Sequence, residues 1–233
     1  MRSGKFGFLG SFVVDAGGGP SGFPVLLDTS ATAISTSSQN PRVVDLPATV
    51  ANGDLLLMHV TNGSSRTFTT PSGWTRLGAQ GTSSVSTRSD WFYRIADGTE
   101  GGGSVTLTAS GSSRGAAYVH RIQAGTFDAV SPLAISISSG ESVSAPVPSL
   151  SIGAAANALW LATAVLYFDT TVSSYPYPDD NTFYRLAAYS GTISRAAWCS
   201  AHANSASAPS GTFAISSSIS PPWISIIVAV LPP

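Results

Sequence analysis

Three features of the 233-residue sequence predict an all-β fold. Short β-branched and aromatic runs recur about every 8 to 14 residues, bounded by Gly, Pro, Asn and Ser clusters. Helix signals are weak, because Glu, Lys and Gln are scarce and no stretch sustains apolar residues at i, i+3, i+4 and i+7. The third feature is self-similarity: a series of strand-like blocks returns in the same order at an offset of roughly 105 to 110 residues. The first series starts at Gly53-Asp54-Leu55-Leu56-Leu57 and closes on Ala117-Tyr118-Val119-His120-Arg121-Ile122. The second starts at Asn157-Ala158-Leu159-Trp160-Leu161 and closes on Trp223-Ile224-Ser225-Ile226-Ile227-Val228. A sandwich or barrel is the architecture such spacing suits.

Four regions follow in order. Residues 1–28 interleave Phe6, Phe8, Leu9 and Phe12 with Gly7, Gly10 and the Gly17-Gly18-Gly19 run. Such a segment cannot build a core of its own. It can lie along another surface with its rings in grooves, glycine allowing close backbone approach, so it is predicted to be a docking arm. Residues 29–125 form the first β-repeat, with strands predicted at 42–46, 53–60, 74–77, 87–95, 104–109 and 114–123. Residues 126–150 form a connector that still alternates through Leu133-Ala134-Ile135-Ser136-Ile137-Ser138. Residues 151–233 form the second repeat and end in Leu231-Pro232-Pro233, where proline stops ladder pairing. Residues 29–233 can equally be one sandwich or two small ones at this level.

Alternation indicates how the strands sit. In Val105-Thr106-Leu107-Thr108 and Phe213-Ala214-Ile215-Ser216 every second residue is apolar, so one face is buried and one is wet. Leu55-Leu56-Leu57 and Ile226-Ile227-Val228 are apolar on both faces. They belong at sheet centres, with both faces covered. Trp74, Trp91, Trp198 and Trp223 are the predicted structural anchors, and Gly73 the predicted positive-φ turn residue before the first of them.

Composition excludes several function classes. Charged residues are 10% of the chain, against about a quarter in ordinary domains. No apolar run reaches the roughly 18 residues of a spanning helix, so membrane insertion is not expected. Ser and Thr fill roughly a quarter of the sequence, a coat that suits exposed strands. The 11 basic residues lie scattered, with a net charge of -1, and give no footprint for nucleic acid. Cys199 is the single cysteine and leaves the redox compartment open. The glycine-broken N-terminus is not read as a secretory signal.

Candidate chemistry is sparse. His59, His120 and His202 fall in predicted strands without ligand spacing, and read as outward-facing or hydrogen-bonded strand residues. Ser72-Gly73-Trp74 lacks the Gly-x-Ser-x-Gly of a nucleophile elbow. Asp97, Glu100, Asp128, Asp169, Asp179 and Asp180 are the carboxylates with a claim to a site. No two of them are placed by the sequence as the facing pair a glycosidase needs, so no catalytic residue, metal site or cofactor is assigned. Asp179-Asp180 reads as an Asx-type turn, with Ca²⁺ binding as the alternative. Tyr175 and Tyr177, set between prolines beside that pair, are the predicted exposed rings of a surface-contact loop.

One order of residues carries a family likeness. Pro47, Gly53, Asp54, Leu55 to Leu57, Pro71, Ser72, Gly73, Trp74, Thr75, Phe92, Tyr93, Arg94, Glu100, Val105 and Leu107 follow one another as in a β-sandwich module of tailed-phage virion proteins, which the chain resembles. A Ser-rich segment, an apolar strand and a closing strand continue the likeness at 142–147, 158–165 and 227–232, so that it spans roughly residues 30 to 233. The sequence departs from the pattern where Pro176-Tyr177-Pro178-Asp179-Asp180 replaces a second Pro-Ser-Gly-Trp. The resemblance implies a jelly-roll-like antiparallel β-sandwich of two related halves behind an extended N-terminal arm. It further implies a non-enzymatic virion protein in a peripheral tail or fibre appendage, partnered by other virion proteins and by copies of itself, a trimer being one form. Contact with host surface glycan through the Tyr175, Tyr177, Asp179 and Asp180 loop fits the same reading. A head decoration protein that stabilises the shell and a secreted carbohydrate-binding module are the alternatives.

Overall fold

The computed structural model describes residues 22–32, 40–62, 64–81, 87–112, 115–153, 157–166, 171–174, 197–205, 208, 210–216 and 220–233. Among these residues the regular elements are all strands, as the weak helix signals predict. The first seven are β1 (Leu26–Thr32), β2 (Arg42–Asp45), β3 (Leu55–Asn62), β4 (Thr75–Gly81), β5 (Arg88–Ile95), β6 (Ser104–Leu107) and β7 (Ala117–Ile122). The other seven are β8 (Leu133–Glu141), β9 (Ser144–Pro146), β10 (Ala158–Leu166), β11 (Thr171–Ser174), β12 (Ala197–Ser205), β13 (Thr212–Ser216) and β14 (Pro222–Val230). All pairings between them are antiparallel.

Two large sheets carry most of the strands, in the orders β1-β7-β3-β5-β4 and β12-β10-β14-β8. Two small ones, β2-β6 and β11-β13-β9, complete the set. Strand order has a simple regularity. Read from β8, the four-stranded sheet runs β8-β14-β10-β12, which is β1-β7-β3-β5 with seven added to each number. The small pair β2-β6 likewise becomes β9-β13. The rule breaks at one place: β4 pairs with β5, whereas β11 pairs with β13.

The doubly apolar runs take the central positions their sequence calls for. β3 lies between β7 and β5 with all eight of its residues buried, and β14 between β10 and β8 with all nine buried. Successive side chains point to opposite faces, so each run feeds two cores. Leu55 and Leu57 meet Leu159, Leu161, Ile224, Ile226 and Val228 in a core shared by the two large sheets. Leu56, Met58 and Val60 instead join Val44, Leu107, Phe68 and Phe92, beneath the β2-β6 pair. On the second sheet Ile227 and Ala229 join Trp160, with Val147 and Leu150 packed against them. The fold is therefore a face-to-face pair of sheets, each with a further layer outside it. Each fully buried Leu or Ile contributes about 1.5–3 kcal/mol, which makes the shared core the main bond between the sheets.

The structure adds strands to the sequence reading, β1 and β8 among them. β1 runs across residue 28, the predicted end of the arm, and pairs with β7. β8 occupies much of the stretch that the turn signals leave as a connector, and pairs with β14 over nine successive residues. Its alternation was visible, but its partner lies more than eighty residues away and no local signal names it. Ile135 and Ile137 pack on the shared core while Ser136 and Ser138 lie on the other face of the strand, as the period of two requires.

Candidate functional site

Several residues of the resemblance, Pro71, Ser72, Trp74, Arg94, Glu100 and Val105, line one groove. Pro71 to Trp74 form a turn in which the Trp74 amide donates to the Pro71 carbonyl at 3.1 Å and Gly73 takes φ +76°. That is the type II geometry in which the third residue needs left-handed backbone, so glycine stands there for a stated reason. The turn hands the chain to β4 and drops Trp74, which is nearly buried, into the core beneath β2-β6. On the neighbouring strand β5, Arg94 runs beneath the turn; a Cβ on Gly73 would lie 3.6 Å from its Nη1.

Arg94 in turn holds the turn between β5 and β6. Its Nη2 lies 2.6 Å from Glu100 Oε1 and 3.4 Å from Asp97 Oδ2. Glu100 is buried, and its two oxygens accept from the Asp97 and Gly98 amides at 3.1 and 3.0 Å. Asp97 is exposed and accepts from the Thr99 hydroxyl and amide, which hold its carboxyl below the usual carboxylate range. A groove of about 420 Å³ lies over this brace, lined among others by Pro71, Ser72, Trp74, Arg94, Thr99 and Glu100. Both carboxylates are engaged in fixing a turn. Chemically the arrangement is a brace with a hydroxyl-rimmed groove above it.

A second cluster is buried in the shared core. His59 stacks on Trp91 with ring centroids 4.4 Å apart and meets the edge of Tyr118 at 5.0 Å. Tyr118 meets His120 at 4.7 Å and reaches across to the other sheet, its hydroxyl 3.0 Å from Thr163 Oγ1. His59 Nε2 pairs with Ser89 Oγ at 2.7 Å, and His120 Nδ1 with Thr29 Oγ1 at 2.8 Å. Of the two expected forms His59 takes the hydrogen-bonded one, through Nε2 and not through Nδ1. Its side chain points inward, is fully buried, and leaves Nδ1 without a partner among the described residues. Burial, and then His120, hold the His59 imidazole well below its ordinary value. His59 and His120 alternate with apolar neighbours in sequence, but their adjacency follows from β3 pairing with β7, across some sixty residues.

Two buried carboxylates are not among the candidate-site carboxylates read from the sequence. Asp90 is fully buried on β5, on the face opposite Trp91, between Arg76 and Arg88, with Arg88 Nε 2.8 Å from Oδ2. Burial raises its carboxyl above the usual range, and the hydrogen bonds and charges of Arg88 and Arg76 offset part of that rise. Asp54 accepts from Arg121 Nε at 2.6 Å, from the Ala51 amide at 2.8 Å and from the Ala124 amide at 3.0 Å. The Arg88-x-Asp90 spacing, which puts both side chains on one strand face, was the available signal for the first. Arg42, buried over the Phe68 ring, is pushed down to about 10 by desolvation and donates to the Thr61 carbonyl.

The other predicted anchors divide. Trp91 is fully buried at the shared core, and Trp223 is nearly so, its indole N–H donating to Ser142 Oγ at 3.1 Å. Trp198 lies on β12, but its side chain is outside the described residues. The arm residues Phe6, Phe8, Leu9 and Phe12 and the loop residues Tyr175, Tyr177, Asp179 and Asp180 are also outside them. Among the described residues no group of three or more His, Cys, Asp or Glu is placed to hold a metal ion, and no helix is long and apolar enough to cross a membrane. No protein-family profile, curated protein or solved structure matches the chain.

Proposed function

We propose that the chain is a non-enzymatic structural protein of a tailed-phage virion, a peripheral tail or fibre appendage. In this reading it is a jelly-roll-like sandwich of two related halves that docks through its Gly/Phe-rich arm and assembles with copies of itself. The observation that carries the reading is what the residues of the likeness do. Pro71, Ser72, Trp74, Arg94 and Glu100 are spread along thirty positions of sequence, yet they line one groove, over a brace in which Arg94 and Glu100 fix the turn between β5 and β6. A motif engaged in architecture belongs to a scaffold module, the role the resemblance implies. The strand order that repeats with seven added supports the two-halves part, since duplication of one unit is its simplest origin. Its break at β4 and β11 lies just before the Tyr175, Tyr177, Asp179 and Asp180 segment, which we assign to surface contact with a host glycan.

The experiment is truncation. Particles assembled with a chain lacking residues 1–25 should lose the protein, while the truncated chain keeps the circular dichroism spectrum and unfolding midpoint of the full one. Incorporation at the normal level would remove the docking role from the arm. A glycan array with the soluble full chain tests the loop, and a flat response across host polysaccharides counts against surface recognition.

A further inference from the structure

We propose that the His59–Trp91–Tyr118–His120 cluster is an acid-sensitive switch in the seam between the two large sheets: proton uptake at His59 releases one sheet from the other. Geometry carries the argument. The neutral imidazole uses Nε2 toward Ser89 and presents Nδ1 to a site with no acceptor among the described residues. A protonated ring has two N–H donors, so the second would be buried without a partner, beside an indole face that is itself fully buried. The cluster also sits where the sheets touch, because Tyr118, packed on both histidines, reaches to Thr163 on β10.

The groups facing His59 from each neighbouring element are few. From β7 they are the titratable Tyr118 and His120, and from β5 the neutral Ser89 and Trp91. The facing sheet contributes Thr163 through Tyr118, and the aliphatic Leu161, Val165, Ile224 and Ile226 of the same core. Asp90 follows Ser89 on β5 but turns its carboxylate to the opposite face, toward Arg76 and Arg88. Cys199 and His202 lie on β12, and their side chains are outside the described residues. The direction is fixed by linkage. His59 is held below its ordinary value of 6.5, so the unfolded chain binds the proton more tightly than the folded one. The stability tied to a neutral His59 is complete above that pH and is lost as the pH falls below it.

The test compares urea unfolding of the full-length protein and a His59→Phe variant between pH 7.5 and 4.5. An aromatic ring is kept against Trp91; the titrating group is not. The unfolding constant of the unaltered chain should rise faster than that of the variant, approaching about tenfold per pH unit below pH 6. Parallel curves would overturn the proposal. Should His59→Phe fail to fold, an NMR titration of the histidine-labelled natural chain decides. A native-state His59 ring that stays neutral below about pH 5, with amide protection on β3, β7 and β10 falling together in acid, supports the switch. A His59 that protonates near 6.5 with native shifts intact overturns it.

Discussion

Replacing Glu100 by Ala tests whether the residues of the likeness form a brace or merely decorate a surface. The side chain is 5% exposed and holds Arg94 at 2.6 Å, while its oxygens cap the Asp97 and Gly98 amides. Breaking a buried ion pair from one side costs about 3–5 kcal/mol, because the remaining charge stays desolvated. Two features reduce that figure. Arg94 keeps 22% of its side-chain exposure and has Asp97 at 3.4 Å as a second partner, and the two amides lie in a turn that water reaches. The expected loss is about 2–3 kcal/mol, with the unfolding midpoint lowered by about 5–10 °C at the 2–4 °C per kcal/mol usual for this size. Glu100→Gln keeps an acceptor for the amides and should lose about half as much. Urea titration followed by tryptophan fluorescence measures both, with an unchanged slope showing that the effect is on stability. A loss below about 0.5 kcal/mol for Glu100→Ala, the level of an exposed pair, would refute the brace.

Further expectations follow from the shared core and from one glycine. Leu57→Ala and Ile226→Ala, on opposite sheets of the same core, should each cost about 2–5 kcal/mol and lower a single common unfolding transition. Separate transitions, each moved by one variant only, would show that the sheets do not share a core. Gly115→Ala should destabilise more than an ordinary overpacking substitution of about 1–3 kcal/mol, since its Cβ would lie 1.9 Å from the Thr61 carbonyl oxygen and 2.1 Å from Arg42 Nη1. A soluble Gly115→Ala chain with the natural midpoint would contradict that packing.

What the sequence disclosed depended on the range of the interaction. Leu55 to Leu57 announced a strand buried on both faces because the period of two is local, and the structure puts β3 at a sheet centre. Gly73 announced its turn for the same reason, through a backbone that only glycine enters cheaply. β8 shows the limit. Its alternation was present, yet a strand becomes part of a sheet only through its partner, and β14 is remote in sequence. The site followed the same rule. Arg94 and Glu100 were marked by the likeness, but their pairing needed the turn between β5 and β6. His59 was read as an ordinary strand residue, because burial on both sides depends on a second sheet that one strand cannot reveal. Asp90 was overlooked because two arginines neutralise it from another strand and from its own.

The most direct test of the central claim is to locate the protein on intact particles. If the proposed reading holds, gold-labelled antibody to the folded body, applied to phage particles made in cells that express the chain, should mark the tail appendages at a few sites per particle. Label spread over the head would replace the appendage by a decoration protein. Particles that carry no label, with the protein recovered only from the surrounding medium, would contradict a virion role altogether.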